Sequence, residues 1–189
     1  PEPLKSIIQV AVHTGMRKQE VLTLKRDQVD FDSGYIYLEE TKNGERRAVP
    51  LNDTLTEVLT ARMKQNTISR FTAGYVFCNR AGRPFRNVRK SFDTACGKAG
   101  IQNFRFHDLR HTWASQMVRA GESLYTVMTL GGWKSIDMLQ RYSHLAPDFL
   151  KKAARTTDRI FGQVEAEEAP DAGDSNKMAT REKPVSVTH

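Results

Sequence analysis

The spacing of apolar positions changes character several times along the chain. Leu4, Ile7, Ile8, Ala11 and Val12 recur at three- and four-residue intervals and are followed by Gly15, which predicts a helix that stops at the glycine. "RKQEVLTL", starting at Arg17, predicts a second, short helix. The period then drops. "GYIYLEET" is rich in β-formers, "KNGE" holds an Asn-Gly turn signal and "RRAVPL" reads as the return strand, so a β-hairpin with Lys42 near its tip is expected. "NDTLTEVLTARMKQ" predicts a helix capped by Asn52 or Asp53, with Leu55, Val58, Leu59 and Met63 apolar. "YVFCN" predicts a short strand before an "RAGRP" turn, and "FRNVRKSFDTACGKAG" a basic amphipathic helix ended by glycine.

The last third reads as helical: His107 to Ala120, Ser123 to Leu130, Ser135 to His144, and a helix begun by Pro147-Asp148 that runs to about Ile160. Beyond Gly162 the chain is polar and rich in Pro, Gly and acids, with too few apolar residues to offset its ordering entropy. The expected organisation is an α+β, mainly α-helical domain over 1–162 with a small antiparallel sheet, followed by a disordered acidic tail over 163–189.

Composition narrows the function classes. At 189 residues and 39% hydrophobic, the chain can build a core, and no stretch reaches the length of a membrane-spanning helix. The start "PEPLKSIIQV" lacks the basic and apolar regions of a signal peptide; without an initiator Met, it reads as a piece of a longer protein whose upstream part is missing. Cys78 and Cys96 are isolated thiols, which fit a reducing compartment and argue against a disulfide framework or a zinc finger. The chain holds 29 basic and 22 acidic residues, net +7; three bases and six acids lie from Gln163 onward, so the body carries +10. A basic body points toward a polyanion, though many basic proteins bind none.

The chemistry concentrates in "RFHDLRHTWASQMVRAG", where His107, Arg110 and His111 share about one helical turn. Three readings compete. His107 and His111, at i and i+4, can share a metal ion, but no Glu follows His107 and Arg110 sets a fixed positive charge beside them. "TWASQMVRAGESLYTVMTLGGW" has the outline of a helix-turn-helix, but "SLYTVMTL" offers no Arg, Asn, Gln or Lys to read base edges. An anion site uses the residues best: Arg is a planar fork matched to phosphate, and His107 shares its face at i, i+3.

"HDLRHTWAS" followed by "LGGWKSIDMLQRYSHL" resembles the catalytic domain of the tyrosine recombinases, the phage integrase family. In that family His-x-x-Arg is followed by a His or Trp and, nine residues later, by a Tyr nucleophile; here these positions are His107, Arg110, Trp133 and Tyr142. The family's Gly-x-Arg-x-x-Glu turn matches Gly15, Arg17 and Glu20, and its hairpin lysine matches Lys42 in "TKNGERRAVPL". The match spans roughly Leu4 to Leu150.

The resemblance implies transesterification of DNA. Tyr142 attacks a phosphodiester, the 5′ hydroxyl leaves, and a 3′-phosphotyrosyl bond holds the energy for rejoining. It makes Arg17 and Arg110 the clamp on the phosphoryl oxygens, His107 a hydrogen-bond donor or proton acceptor, and Lys42 the general acid, with Lys25 and Arg46 as competitors for that role. Trp133 stands where most relatives carry His; its indole N–H can bind an oxygen but not shuttle a proton. Glu20 is expected to buttress Arg17 or His107, and His111 to be a structural histidine hydrogen-bonded inside the fold. Arg86, Arg89 and Lys90 are expected to face the DNA backbone, or to form a solvated helix face. No metal or other cofactor is expected. The implied partner is double-stranded DNA, with a homotetramer on DNA for the full-length protein, room for accessory DNA-bending proteins, and a cytoplasmic location at the bacterial nucleoid. The alternative is a catalytically inactive DNA-binding module of the same fold.

Overall fold

The computed structural model describes residues 2–38, 46–67, 74–146 and 149–162. Residues 1–147 and 148–189 form two units. The first begins with α1 (Leu4–Thr14), whose Leu4, Ile7, Val10 and Ala11 are buried, and α2 (Lys18–Leu22), which buries Val21 and Leu22. A 3₁₀ turn leads into a three-stranded antiparallel sheet of β1 (Val29–Asp30), β2 (Tyr35–Leu38) and β3 (Arg47–Pro50), ordered β1-β2-β3. β1 is too short for periodicity to have revealed it. The β2–β3 pair is the expected hairpin; residues 39–45, including Lys42, lie outside the described residues.

Register decides what the hairpin sends inward. Ile36 pairs with Val49 and Leu38 with Arg47, while Tyr35 and Tyr37 face out. Paired residues share a face, so Arg47 points inward beside buried Val49, and its neighbour Arg46 is exposed.

Five α-helices follow among the described residues. In α3 (Asp53–Thr67) the Asn52 side chain accepts the Leu55 N–H at 2.9 Å, which makes Asn52 the cap. α4 (Arg89–Lys98) begins later than the sequence pattern indicates, because Asn87 Oδ1 takes the Arg89 N–H at 2.8 Å in a local turn that competes with helix. α5 (Asp108–Arg119) and α6 (Leu124–Gly131, capped by Ser123) lie close to their expected bounds. α7 (Phe149–Phe161) belongs to the second unit; its expected Pro147-Asp148 start and the tail over 163–189 lie outside the described residues.

Two expectations need correction. "YVFCN" is not a strand. Tyr75 bridges Lys25 and Cys78 bridges Pro84, one residue each, while Val76 and Phe77 between them are fully buried. The segment is apolar enough to be interior, but it meets two different partners and so forms no ladder. Residues Ile136–Leu145 form a 3₁₀ segment rather than an α-helix. Leu139 and Tyr142 are buried and Leu145 is half-buried, and three residues per turn stacks these positions directly above one another on one face.

The first unit has two apolar clusters. One combines α1, α2, the sheet, α3 and α4 with Phe106 and Leu109; the other combines Trp113, Ala114, Val118, Val127, Leu139 and Tyr142. They meet along α5, where Leu109 belongs to one and Trp113 to the other. Gly15, at φ +62°, turns the chain out of α1 against the face of Trp113, and any Cβ there would fall inside the ring. Gly15→Ala is therefore expected to destabilise the fold by about 2 kcal/mol or more, from left-handed strain plus overpacking. Thermal denaturation checks this; a melting temperature within about one degree of the parent would contradict it.

Candidate active site

Arg110 stands at the seam between the two clusters with 4% of its surface exposed. Its Nη1 donates to the Gly15 and Gly131 carbonyls, both at 2.6 Å. Its guanidinium lies 3.6 Å from the centroid of the Trp133 ring, which in turn stacks on Trp113 at 6.2 Å and 9°. Both contacts favour the cation. The glycines of "LGGW" make this possible. A side chain at Gly131 would collide with Trp133, and Gly132, at φ +71°, ends α6 with its Cα against the Arg47 guanidinium.

Arg17 arrives at the N-terminus of α2. Its Nη2 donates to Gly132 O at 2.7 Å, and its Nη1 to Glu20 Oε1 at 3.0 Å. Glu20 also accepts the Arg17 backbone N–H at 2.8 Å, half of a capping box. The other side of the same carboxylate takes a fork from Arg47, at 3.1 and 2.8 Å. One carboxylate thus orders two arginines, and Arg47 is a site residue that the sequence reading missed. The signal was available in strand alternation: Arg47, two residues before apolar Val49, belongs to the inward face.

The electrostatics follow from this crowding. Burial, then Arg17 and Arg47, push Arg110 down to about 9, still a cation at neutral pH. Burial alone would raise Glu20, but the hydrogen bonds and charge of Arg47 and the bonds from Arg17 outweigh it and hold the carboxyl below its usual value.

The other half of the site lies on α5 and the 3₁₀ segment. Tyr142 is 6% exposed, and its hydroxyl hydrogen-bonds His111 Nδ1. His111 is thus bonded inside the fold, and its partner is the hydroxyl that the sequence reading singled out. His107, exposed at the start of α5, packs edge-on against His111 with ring centroids 4.9 Å apart. Burial lowers both imidazoles, helped by the cations Arg141 and Arg110 for His111 and by His111 and Arg110 for His107. Burial raises the Tyr142 phenol, and Arg141 and Arg110 only partly offset it.

The structure brings Arg17, Glu20, Arg110 and Trp133 into one bonded cluster, with Tyr142 and the histidines beside it. Among the described residues no group of three or more His, Cys, Asp or Glu is placed to hold a metal ion. Arg86, Arg89 and Lys90 are exposed outside the cluster. Arg89 pairs with Asp93 at 3.6 Å and lines a cavity of about 400 Å³ with Lys18, Arg105, Phe106 and His107; Lys90 lines a different one. α6 buries Val127 but exposes Tyr125, so it is half-buried rather than enclosed.

The model of the phage integrase family matches residues 1–148. The chain belongs to this family. It is 38% identical to the integrase of Salmonella phage P22 over 174 residues, which cover 85% of this chain and 44% of that protein. The catalytic domain of bacteriophage HP1 integrase superposes with a TM-score of 0.64 at 27% identity, covering 84% of both chains. The XerH site-specific recombinase, in a pre-cleavage complex with its difH substrate, gives 0.67 at 25% identity, covering 79% of this chain and 45% of that one. The chain thus spans about half or less of the P22 integrase and XerH, whereas it matches most of the isolated HP1 domain. The fold is that of the family's catalytic domains, mainly helical with a small antiparallel sheet.

The Glu20 pairing has a pH signature. Its folded pKa lies below its unfolded one, so its contribution is fully present above the ordinary carboxylate range and is lost as pH falls through the folded value. Glu20→Gln is expected to destabilise the domain by about 3 kcal/mol at neutral pH, as one partner of a largely buried ion pair is removed. The gap from the parent should be clearly narrower at about pH 3, below the ordinary glutamate range. Urea denaturation at both pH values checks this; a gap of the same size in acid would place the effect outside the ion pair.

Proposed function

We propose that this chain is the catalytic part of a site-specific DNA recombinase of the phage or prophage integrase type. The observation that carries this reading is the charge imbalance of the site. Arg17 and Arg47 share one carboxylate, Glu20, and Arg110, held by backbone carbonyls, feels the charges of all three beside a buried tyrosine hydroxyl. The Arg17 and Arg47 charges that lower Arg110 favour an incoming anion, and a phosphodiester supplies one.

In this reading Tyr142 attacks phosphorus and forms a 3′-phosphotyrosyl bond as the 5′ oxygen leaves. Arg17 and Arg110 meet the charge that develops on the phosphoryl oxygens. Among the described residues Nη1 carries both of Arg110's hydrogen bonds, which leaves Nη2 and Nε for the substrate. Trp133 aligns Arg110 by stacking, Glu20 and Arg47 hold Arg17, and His107 stands exposed at the rim to donate to an oxygen. Lys42, in the hairpin connection, is assigned the protonation of the leaving oxygen. The cations supply the positive charge that a metal ion supplies in other phosphoryl-transfer sites, so no ion enters the scheme.

The partner is double-stranded DNA. The XerH complex, with its substrate bound, supports this choice. Exposed Arg86, Arg89 and Lys90 extend the basic surface for backbone contacts. The full-length protein is assigned a homotetramer on DNA; Ile160 and Phe161 of α7, 55% and 67% exposed, are apolar surface available to a second copy. Accessory DNA-bending proteins would join that assembly at the attachment site. Among the described residues no helix is long and apolar enough to cross a membrane, and the activity belongs at the nucleoid of a bacterial cell.

Tyr142→Phe removes only the phenolic oxygen. On a nicked suicide DNA substrate the parent is expected to form a covalent adduct and the variant none, with DNA affinity unchanged. An adduct of parental yield in the variant would remove Tyr142 as nucleophile; no adduct from either chain would favour the inactive DNA-binding module. In the parent, adduct formation is expected to survive excess chelator, and strict dependence on a divalent ion would count against the arginine-clamped mechanism.

A further inference from the structure

We propose that His111, rather than His107, is the base that takes the phenolic proton from Tyr142. This rests on the reading of Tyr142 as the nucleophile.

Position is the first argument. His111 Nδ1 is hydrogen-bonded to the Tyr142 hydroxyl, and no such bond joins His107 to Tyr142 among the described residues. His111 is half-buried on α5, which also carries Arg110 one residue earlier, so base and phosphate clamp ride on one rigid helix. Tyr142 reaches it from the 3₁₀ segment, whose three-residue turn directs Leu139 and Tyr142 to the same buried face. His107 is exposed and meets His111 edge-on, which leaves it open toward the cavity it lines with Lys18, Arg89 and Arg105.

Charge is the second argument. The groups that bear on His111 are Arg105 and His107 just before α5, Asp108 and Arg110 on it, and Arg141 from the 3₁₀ segment. Burial and the cations outweigh Asp108, so the imidazole is neutral at physiological pH and its unprotonated nitrogen can accept. Burial makes the Tyr142 phenol harder to ionise than free tyrosine, so it needs a base at hand.

The step balances. As the Tyr142 Oη–phosphorus bond forms, the phenolic proton passes to His111 Nδ1, and the ring, which already holds a hydrogen on Nε2, becomes imidazolium. The phosphorus–O5′ bond breaks, and the leaving oxygen takes a proton from the separate general acid assigned to Lys42. On rejoining, His111 returns its proton to Tyr142.

The experiment is single-turnover adduct formation by the 189-residue chain on nicked suicide DNA, measured across pH with DNA affinity and melting temperature recorded alongside. His111→Ala and His111→Asn are compared with the parent; Asn can accept a hydrogen bond but cannot take a proton. Both variants are expected to be about 100-fold slower at neutral pH, the usual size of a lost general base, with affinity kept. Their rates should climb with pH toward the tyrosine range, whereas the parent should level off above the histidine range. A fluorinated tyrosine at position 142, already ionised at neutral pH, should restore His111→Ala to within about tenfold of the parent. A parental rate in either variant overturns the proposal. So does a deficit that is equal at every pH and not rescued by the acidic phenol, which would leave His111 a packing role. If His107→Ala, and not His111→Ala, gives the pH-rescued profile, the base is His107. Failure of the underlying reading shows separately, as an adduct that persists in Tyr142→Phe.

Discussion

Arg110 is a buried cation with no carboxylate among its hydrogen-bond acceptors in the described residues. It is held by two backbone carbonyls, Gly15 and Gly131, and by the face of Trp133. An isolated charge taken out of water costs several kcal/mol unless such dipoles replace its hydration, so the surrounding geometry must stay near 2.6 Å contacts to keep the fold stable. The loop after α1, the end of α6 and the start of α5 are thereby fixed to one another. The two apolar clusters meet at this point, and the glycines at 15, 131 and 132 exist where a Cβ would break one of the contacts.

The rest of the site is built outward from that constraint. Glu20 cannot cancel three guanidinium groups, so the cluster keeps a net positive charge although it is largely enclosed. A folded protein tolerates that imbalance when carbonyls and one shared carboxylate offset part of it, and the remainder is the charge on which the proposed function draws. Fold stability and the excess positive charge of the site thus rest on the same side chains.

The tyrosine is carried differently. Tyr142 lies on ten residues of 3₁₀ geometry, longer than such segments usually run, and is held there by Leu139 packing and by His111. Arg110 is held by backbone carbonyls and an aromatic face, whereas the tyrosine is held by one side-chain bond and by packing in the second apolar cluster.

Much of this was legible in the residues alone. Periodicity placed α1, α2, α3, α5 and α6 within a few residues of their ends and paired β2 with β3, because helix and hairpin signals are carried by residues close together in the chain. The order of Arg17, Glu20, His107, Arg110, Trp133 and Tyr142 also pointed to one site. The tertiary structure alone decided that "YVFCN" would split its backbone bonds between two partners, that the Tyr142 segment would take three residues per turn, that Arg47 would share Glu20 with Arg17, and that His111 would meet the tyrosine hydroxyl. Each depends on contacts between separate elements, Glu20 with Arg47 or His111 with Tyr142, whose distance is set by how helices and sheet pack, and spacing within one element carries no information about that packing.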